Sequence, residues 1–542
     1  MPETFFFDEE LSDLDPDIHN FITAEEQRQN NKLIMIASES LCPKPVREAL
    51  TTPFTNKYAE GYPSLRMTIY ERDRIDKETE RYLAFHRRYG DRRFYKGAEF
   101  CNFIEVLAQR RAAEIFANPR CNIGAESIFV NVQPLSGAAA NNAVYNAFLV
   151  PGDTIMGMAL SYGGHLSHGS PFNRSGRQYR VIPYPVDRKT GRLDYDLIKK
   201  LALEHKPKII VAGASAYPWD IDWIKLREIA DVVPVQIPGL HKAGAILMAD
   251  IAHPAGLVVA GLFPNPVGYA DVTTLTTHKT LCGPRGAIIF STDEEIAGRV
   301  DSGVFPGEQG GPHLNNIAAK AVCFKIAATK KFKELQKKIT ENCLVLAESF
   351  KELGLTLAYG GTNTHMVLLD LSQLAGLNSA LTGDIASNIL DLCGITCNKN
   401  ALPGDETGAR PRGIRFGTTI LTQHGMRPAE MKKIARLVHQ VLTSIKTFKV
   451  FSPAGEICRG KISLEIMEEV KTEVQKLLGN SRLNKKRQAP DLKSKIYNLE
   501  IIGERAPAFL QSITAHDIFS LGPGQAVDTF LLDSSGKTID EV

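Results

Sequence analysis

The chain has 542 residues, 43% of them hydrophobic and 23% charged, with a formal net charge of +3. That length suggests three or four domains and a large core. So slight a charge excess gives no reason to expect nucleic acid as a partner, since that binding needs clustered basic side chains. Nine cysteines, scattered and odd in number, with no secretory signal at the start, point to a reducing, cytoplasmic setting and no disulfide framework.

In chain order, the first informative stretch is Ile75, Thr79, Tyr82, His86 and Tyr89, which fall at helical spacing with charged residues between them and predict an amphipathic helix. Ile128 to Val132 reads as a strand. It runs through Gln133-Pro134-Leu135-Ser136-Gly137 into a helix start at Ala138-Ala139-Ala140, whose free backbone amides could hold a phosphate. Strand-turn-helix units are common, so this sign is weak alone. His165 and His168 lie three apart, but the glycine-rich loop around them offers no evident third ligand, and no metal is expected.

Ala243 to Asp250 reads as a second buried strand, ending in a carboxylate. A lone aspartate there is ordinarily a cap or turn former, yet it is also the partner a pyridinium nitrogen needs. Val272 to Thr277, β-branched and uncharged, reads as a buried parallel strand whose carboxyl end opens into the crevice where open α/β sheets bind ligands. Lys279 would project into that crevice. A lone lysine after a strand is ordinarily exposed, whereas one deprived of water has a lowered pKa and a free amine able to condense with a carbonyl.

The stretch Ala243 to Phe263 nears membrane-span length but contains Asp250, His253 and Pro254, so no membrane segment is expected. The alternation of strands and helices predicts a mostly parallel sheet. Ser463 to Leu478 reads as a helix, and Lys485-Lys486-Arg487 as part of a solvated linker.

Short motifs recur in one order along the chain: Ile36-Ala37-Ser38-Glu39, Lys57-Tyr58-Ala59-Glu60-Gly61-Tyr62-Pro63, Asn131-Val132-Gln133-Pro134, Gly163-Gly164-His165-Leu166, Ser215-Ala216-Tyr217 and Asp250-Ile251-Ala252-His253. Thr277-His278-Lys279, Phe305-Pro306-Gly307, Gln309-Gly310-Gly311-Pro312, Asn398-Lys399-Asn400 and Gly413-Ile414-Arg415 complete the set. Over residues 25 to 450 the chain closely resembles serine hydroxymethyltransferase.

The resemblance implies an α/β, fold-type I pyridoxal phosphate transferase, with a large mostly parallel sheet domain and a smaller α+β C-terminal domain. It divides the chain into an arm (1–55), a large domain (56–325), a small domain (326–455), a helix and linker (456–500) and a tail (501–542). The implied reaction is the reversible conversion of serine and tetrahydrofolate to glycine and 5,10-methylenetetrahydrofolate, in a homodimer or homotetramer. By similarity Lys279 would carry pyridoxal phosphate, Asp250 would pair with its ring nitrogen and His165 would stack on its face. Ser136, Gly137 and His278 resemble phosphate ligands, and Gly311 resembles one supplied by a neighbouring subunit. Ser215 and His253 resemble residues near the ring oxygen. Thr276 resembles the hydroxyl that assists exchange of lysine for the substrate amine.

Arg415 resembles the clamp for the amino acid carboxylate, which a guanidinium grips through two parallel hydrogen bonds. Glu60 resembles the acid/base carboxylate, sheltered beside Tyr58 and Tyr95, and Ser38 a substrate-side hydroxyl. Leu160, Gly164, Leu166 and Asn400 fall at positions that line the folate site.

The chain also departs from the family pattern. A segment from about Ser64 to Asp91 separates Glu60 from Tyr95, and the helix read above would let it leave and return at the active-site mouth. Ala138 stands where serine is frequent, Cys282 where arginine is usual, and Phe94 where a tyrosine faces folate; Gly408-Ala409-Arg410-Pro411-Arg412 is also unusual. An aldolase of β-hydroxy amino acids without folate, and a non-catalytic interaction protein, are the alternatives. Residues 501–542 resemble the opening of the aminomethyltransferase (glycine cleavage T protein) family through Gly503-Glu504-Arg505-Ala506-Pro507-Ala508-Phe509-Leu510-Gln511 and Leu521-Gly522-Pro523-Gly524-Gln525-Ala526. So short a piece is expected to be loosely packed or to dock.

Overall fold

A sheet of seven strands carries the larger of two compact units, formed by residues 35–373 and 398–435. The strands are β1 (Phe129–Asn131), β2 (Thr154–Met158), β3 (Arg180–Tyr184), β4 (Ile209–Gly213), β5 (Ile246–Asp250), β6 (Val272–Thr276) and β7 (Ala287–Ser291), in the order β1-β7-β6-β5-β4-β2-β3. From β6 to β3 every pairing is parallel, while β7 runs antiparallel to both β6 and β1. This computed structural model describes residues 7–65, 67–68, 77–89, 92–377, 381–405, 411–452, 455–479, 530–532 and 538–541.

Successive side chains of a strand point to opposite faces, so a strand covered on both faces must be apolar throughout. Ile210 and Ala212 of β4 enter one core with Leu247, Ala249 and Leu275, whereas Ile209 and Val211 enter the other with Ile246, Met248 and Val272. Helices α2 (Glu99–Phe116) and α5 (Leu314–Ala327) cover the first face, and α3 (Gly137–Phe148) with α4 (Glu294–Val304) covers the second. A smaller antiparallel sheet in the same unit joins β8 (Thr356–Leu357), β9 (Met366–Asp370), β10 (Asn398–Asn400) and β11 (Gly413–Gly417) in the order β10-β11-β9-β8.

Within the inserted segment, α1 (Thr79–Tyr89) is the expected helix, although Ile75 lies outside the described residues. Its Tyr82 packs with Met67 and with Val106 of α2. The two ends of the segment are pinned together. Phe94 N donates to Glu60 O at 3.1 Å and Arg92 Nε to Pro63 O at 3.0 Å. Gly61 has φ +99°, and a Cβ on it would stand 2.5 Å from Arg92 O, so only glycine lets the ends approach.

Arg93 seals this junction from below. Its guanidinium donates to Ala59 O (2.7 Å), Gly61 O (3.1 Å), Asn102 Oδ1 (2.6 Å) and Glu105 Oε2 (2.5 Å), with both charged side chains fully buried. Gln133 Nε2 completes the network with bonds to Glu105 Oε1 (2.9 Å) and Gly61 O (3.0 Å).

The second unit comprises residues 1–34, 374–397 and 436–542. It holds a helix over Pro16–Asn31, a parallel pair between Leu33–Ile34 and Ile395–Thr396, and a hairpin of Lys446–Ser452 with Gly455–Lys461. A helix over Leu464–Gly479 matches the expected one. Most of residues 501–542 lies outside the described residues, apart from the antiparallel pair Phe530–Leu532 and Thr538–Glu541. All nine cysteines are free thiols, and no helix among the described residues is long and apolar enough to cross a membrane.

Replacing one member of a buried ion pair leaves the other charge unpaired, which costs about 3–5 kcal/mol. Arg93→Ala should therefore lower the urea midpoint markedly, and adding Glu105→Leu should restore much of the loss.

Candidate active site

The carboxyl ends of β4, β5 and β6 deliver the chemistry, as expected where parallel strands stop along a common edge. Asp250 is the last residue of β5, registered against Gly213 and Thr274 of its neighbours. Lys279 follows β6 by three residues and is 9% exposed. Gly137, His165, Ser215, His253 and Thr276 line one small cavity together with Asp250 and Lys279.

Burial would push the Asp250 carboxyl up. The hydrogen bond and charge of His168, the charge of His165 and the bond from Asn141 outweigh it and hold the group below the usual carboxylate range. Asp250 Oδ2 lies 2.9 Å from His168 Nε2 and accepts from Asn141 Nδ2 at 2.9 Å, while Oδ1 accepts from Ala252 N at 3.0 Å. His168 thus faces the carboxylate, and among the described residues no group of three metal-ligating side chains gathers. Ser167 bridges Asn141 Nδ2 (2.8 Å) and His165 Nδ1 (2.7 Å), tying the histidine loop to α3.

Burial lowers the pKa of Lys279 to about 8; Asp250 opposes that shift, and Arg415 and Arg285 reinforce it. A far larger share of the amine is therefore free near neutrality than in an exposed lysine, although the ammonium still predominates below about pH 8. Burial also brings the His165 imidazole down to about 4, helped by the charge of His168. His253 Nδ1 lies 3.2 Å from His365 Nε2, with the rings stacked at 5.4 Å. Burial, then Lys279 and Arg415, holds His253 far below the usual range, and burial with the same cations takes His365 down to about 3. Burial thus favours the neutral form of all three rings.

Arg415 sits mid-strand in β11, 7% exposed, opposite Asn398 of β10 and Leu368 of β9. It donates to Asn398 Oδ1 at 3.3 Å and to the Ser215 carbonyl, and burial lowers its pKa to about 10. No carboxylate of the described residues pairs with it. Gly417 N donates to Met35 O at 2.7 Å, which lays residues 35–37, and so the approach to Ser38, along the end of β11.

Ser136 caps α3, accepting from Ala139 N at 3.4 Å, and is exposed. His278 Nδ1 accepts from Gly286 N at 3.4 Å, and its carbonyl accepts from Ser40 Oγ at 2.9 Å. Burial, then Arg285, lowers this imidazole to about 4. Thr276 Oγ1 donates to Ala252 O at 3.2 Å.

Tyr58, Glu60, Tyr95 and Gly311 are not among the residues lining the Lys279 cavity; they form a second cluster. Tyr58 OH donates to Glu60 Oε1 at 3.1 Å, the Tyr58 and Tyr95 rings meet edge-on at 4.8 Å, and a Cβ on Gly311 would stand 3.1 Å from Tyr58 Cζ. The sequence reading shelters Glu60 beside the two tyrosines, but Tyr58 is 53% and Tyr95 42% exposed, so these rings give one-sided cover. Leu160 and Leu166 are exposed in the loop after β2, beside buried Gly164, and Asn400 Nδ2 donates to Ala401 O at 2.7 Å.

Sequence reasoning missed Asn141 and His365, quoted Asn398 in a motif without giving it a role, and weighed His168 only as a metal ligand. The sole signal for His168 was its place in the loop of His165; nothing local shows that it turns to Asp250.

The family model for serine hydroxymethyltransferase matches residues 11–79 and 79–438, its two stretches meeting inside the inserted segment. A serine hydroxymethyltransferase of Endomicrobium trichonymphae is 44% identical over 445 residues, covering 82% of this chain and 95% of that protein. One from Ehrlichia chaffeensis is 42% identical over 468 residues, covering 86% and 98%. The chain belongs to the serine hydroxymethyltransferase family.

Proposed function

We propose that the chain converts serine to glycine with pyridoxal phosphate as cofactor and tetrahydrofolate as one-carbon acceptor. One observation carries this reading. Two buried cations, Lys279 and Arg415, share their surroundings with one buried carboxylate, Asp250. An excess of buried positive charge is stable only when an anion completes it, and a phosphorylated cofactor with an amino acid substrate brings both a phosphate and a carboxylate.

Bound pyridoxal phosphate supplies an electron sink for bond cleavage at the substrate α-carbon. Lys279 would hold it, Asp250 would keep the ring nitrogen protonated, and His165 would cover the ring face. Ser136, Gly137 and His278 would take the phosphate. Ser215 and His253 would sit near the ring oxygen, and Thr276 beside the amine being exchanged. Arg415 would grip the substrate carboxylate and Ser38 its other end, with Leu160, Gly164, Leu166 and Asn400 toward the folate.

Glu60, with Tyr58 and Tyr95, would move the proton at the substrate hydroxyl. The packing of Gly311, which resembles a residue supplied to a neighbouring subunit, against Tyr58 of this cluster supports a homodimer in which each copy completes the other's site. A cytoplasmic location fits the free thiols.

Glycine formation from serine, measured with and without tetrahydrofolate, tests the reading. Tetrahydrofolate should accelerate it, Lys279→Ala should abolish it, and Arg415→Lys should raise the KM for serine about tenfold or more, because one ammonium cannot reproduce a two-pronged contact. Serine cleavage indifferent to tetrahydrofolate would favour the folate-free aldolase.

The pKa of Lys279 gives a second expectation. Only the neutral amine captures an aldehyde, so uptake of pyridoxal phosphate by the cofactor-free chain, followed by stopped-flow absorbance, should rise about tenfold per pH unit and level off above about pH 8.

A further inference from the structure

Among the described residues Lys320 is the other buried lysine, in α5 and 1% exposed, and it reaches the turn that leads to α3. Its ammonium donates to three backbone carbonyls: Val132 (2.7 Å), Pro134 (3.0 Å) and Ala287 (2.9 Å). All three hydrogens are used, and among the described residues no carboxylate lies within ion-pair distance of it. Burial lowers its pKa to about 7, and a position needing only volume would hold leucine or methionine, which lose no hydration there. The polar head therefore serves the carbonyls, whose three acceptor oxygens match the three hydrogens of its protonated form.

Those carbonyls belong to two separate segments. Val132 and Pro134 lie on the turn that ends in Ser136 and Gly137, while Ala287 opens β7 directly after Gly286, whose N–H donates to His278. Ala287 N also donates to Pro134 O at 3.1 Å, so the segments already touch and the ammonium locks their register. The passage is tight: a Cβ on Gly286 would stand 2.6 Å from Lys320 Cε.

We propose that Lys320 is a positioning residue for the cofactor phosphate, holding the segment of Ser136 and Gly137 at a fixed spacing from the Gly286–Ala287 segment that hydrogen-bonds His278. The proposal rests on the site reading given above. Lys320 touches neither cofactor nor substrate. It acts as outer-shell groups do, by orienting the residues that make contact.

The full-length chain, freed of cofactor, is titrated by absorbance with pyridoxal 5'-phosphate and, separately, with pyridoxal. Lys320→Met keeps the stem and removes the ammonium. It should weaken the phosphorylated ligand about tenfold or more while changing pyridoxal by less than about twofold, so that the ratio of the two affinities collapses. A general loosening of the fold would weaken both alike, and that result, or an unchanged ratio, overturns the proposal. Should Lys320→Met fail to fold, Gly286→Ala, which displaces the stem and keeps the charge, must show the same selective loss; an equal loss or none overturns it. If the unsubstituted chain binds neither ligand, the reading of the site fails first and this proposal falls with it.

Discussion

A carboxylate removed from water stays ionised only where hydrogen bonds replace the water it lost. At the end of β5, Asp250 receives such bonds from Asn141 and the Ala252 N–H and faces the His168 ring, each partner on a different segment. The rest of the site depends on this arrangement. An ionised Asp250 partly offsets the burial of Lys279, leaving its pKa near 8. A neutral carboxyl in its place would leave Lys279 and Arg415 as neighbouring buried charges with no counterion. Asn141 and His168 are thus as necessary as the carboxylate they hold, although neither lines the Lys279 cavity.

The sheet makes this economical in sequence. Three adjacent parallel strands stop at one edge, so residues far apart along the chain, such as Ser215, Asp250 and Thr276, line one cavity without any long loop to order. The segment around residues 64–91 fits the same logic. Its ends are fastened by Gly61, Arg92, Arg93 and Phe94, so Tyr58 and Tyr95 meet as if nothing lay between them. An addition closed at its base by a buried ion pair leaves the underlying scaffold undisturbed.

Much of this was legible in the residues. Val272 to Thr276 and the run into Asp250 are recognisable because strands buried on both faces are uninterrupted by charge. The second reading began three residues early, since Gly244 adopts φ +88° in a turn and the ladder starts only at Ile246. Strand β7, antiparallel between two others, carries no motif and was not anticipated. Lys279, Asp250 and Arg415 were found through short ordered motifs, but their partners were not. The contact between His168 and Asp250 spans 82 positions, and no local pattern encodes which way an imidazole turns once the loop is folded. Lys320 is harder still, because a lysine in a helix ordinarily reads as solvated, and only the three carbonyls around it reveal otherwise.

The central claim is that one lysine, its pKa brought down by burial and balanced by Asp250 so that the free amine is readily reached, captures the cofactor. Borohydride reduction of the chain after incubation with pyridoxal phosphate, followed by peptide mass mapping, tests it directly. The account predicts a single phosphopyridoxyl label on Lys279; a label on another lysine, or none, would contradict it.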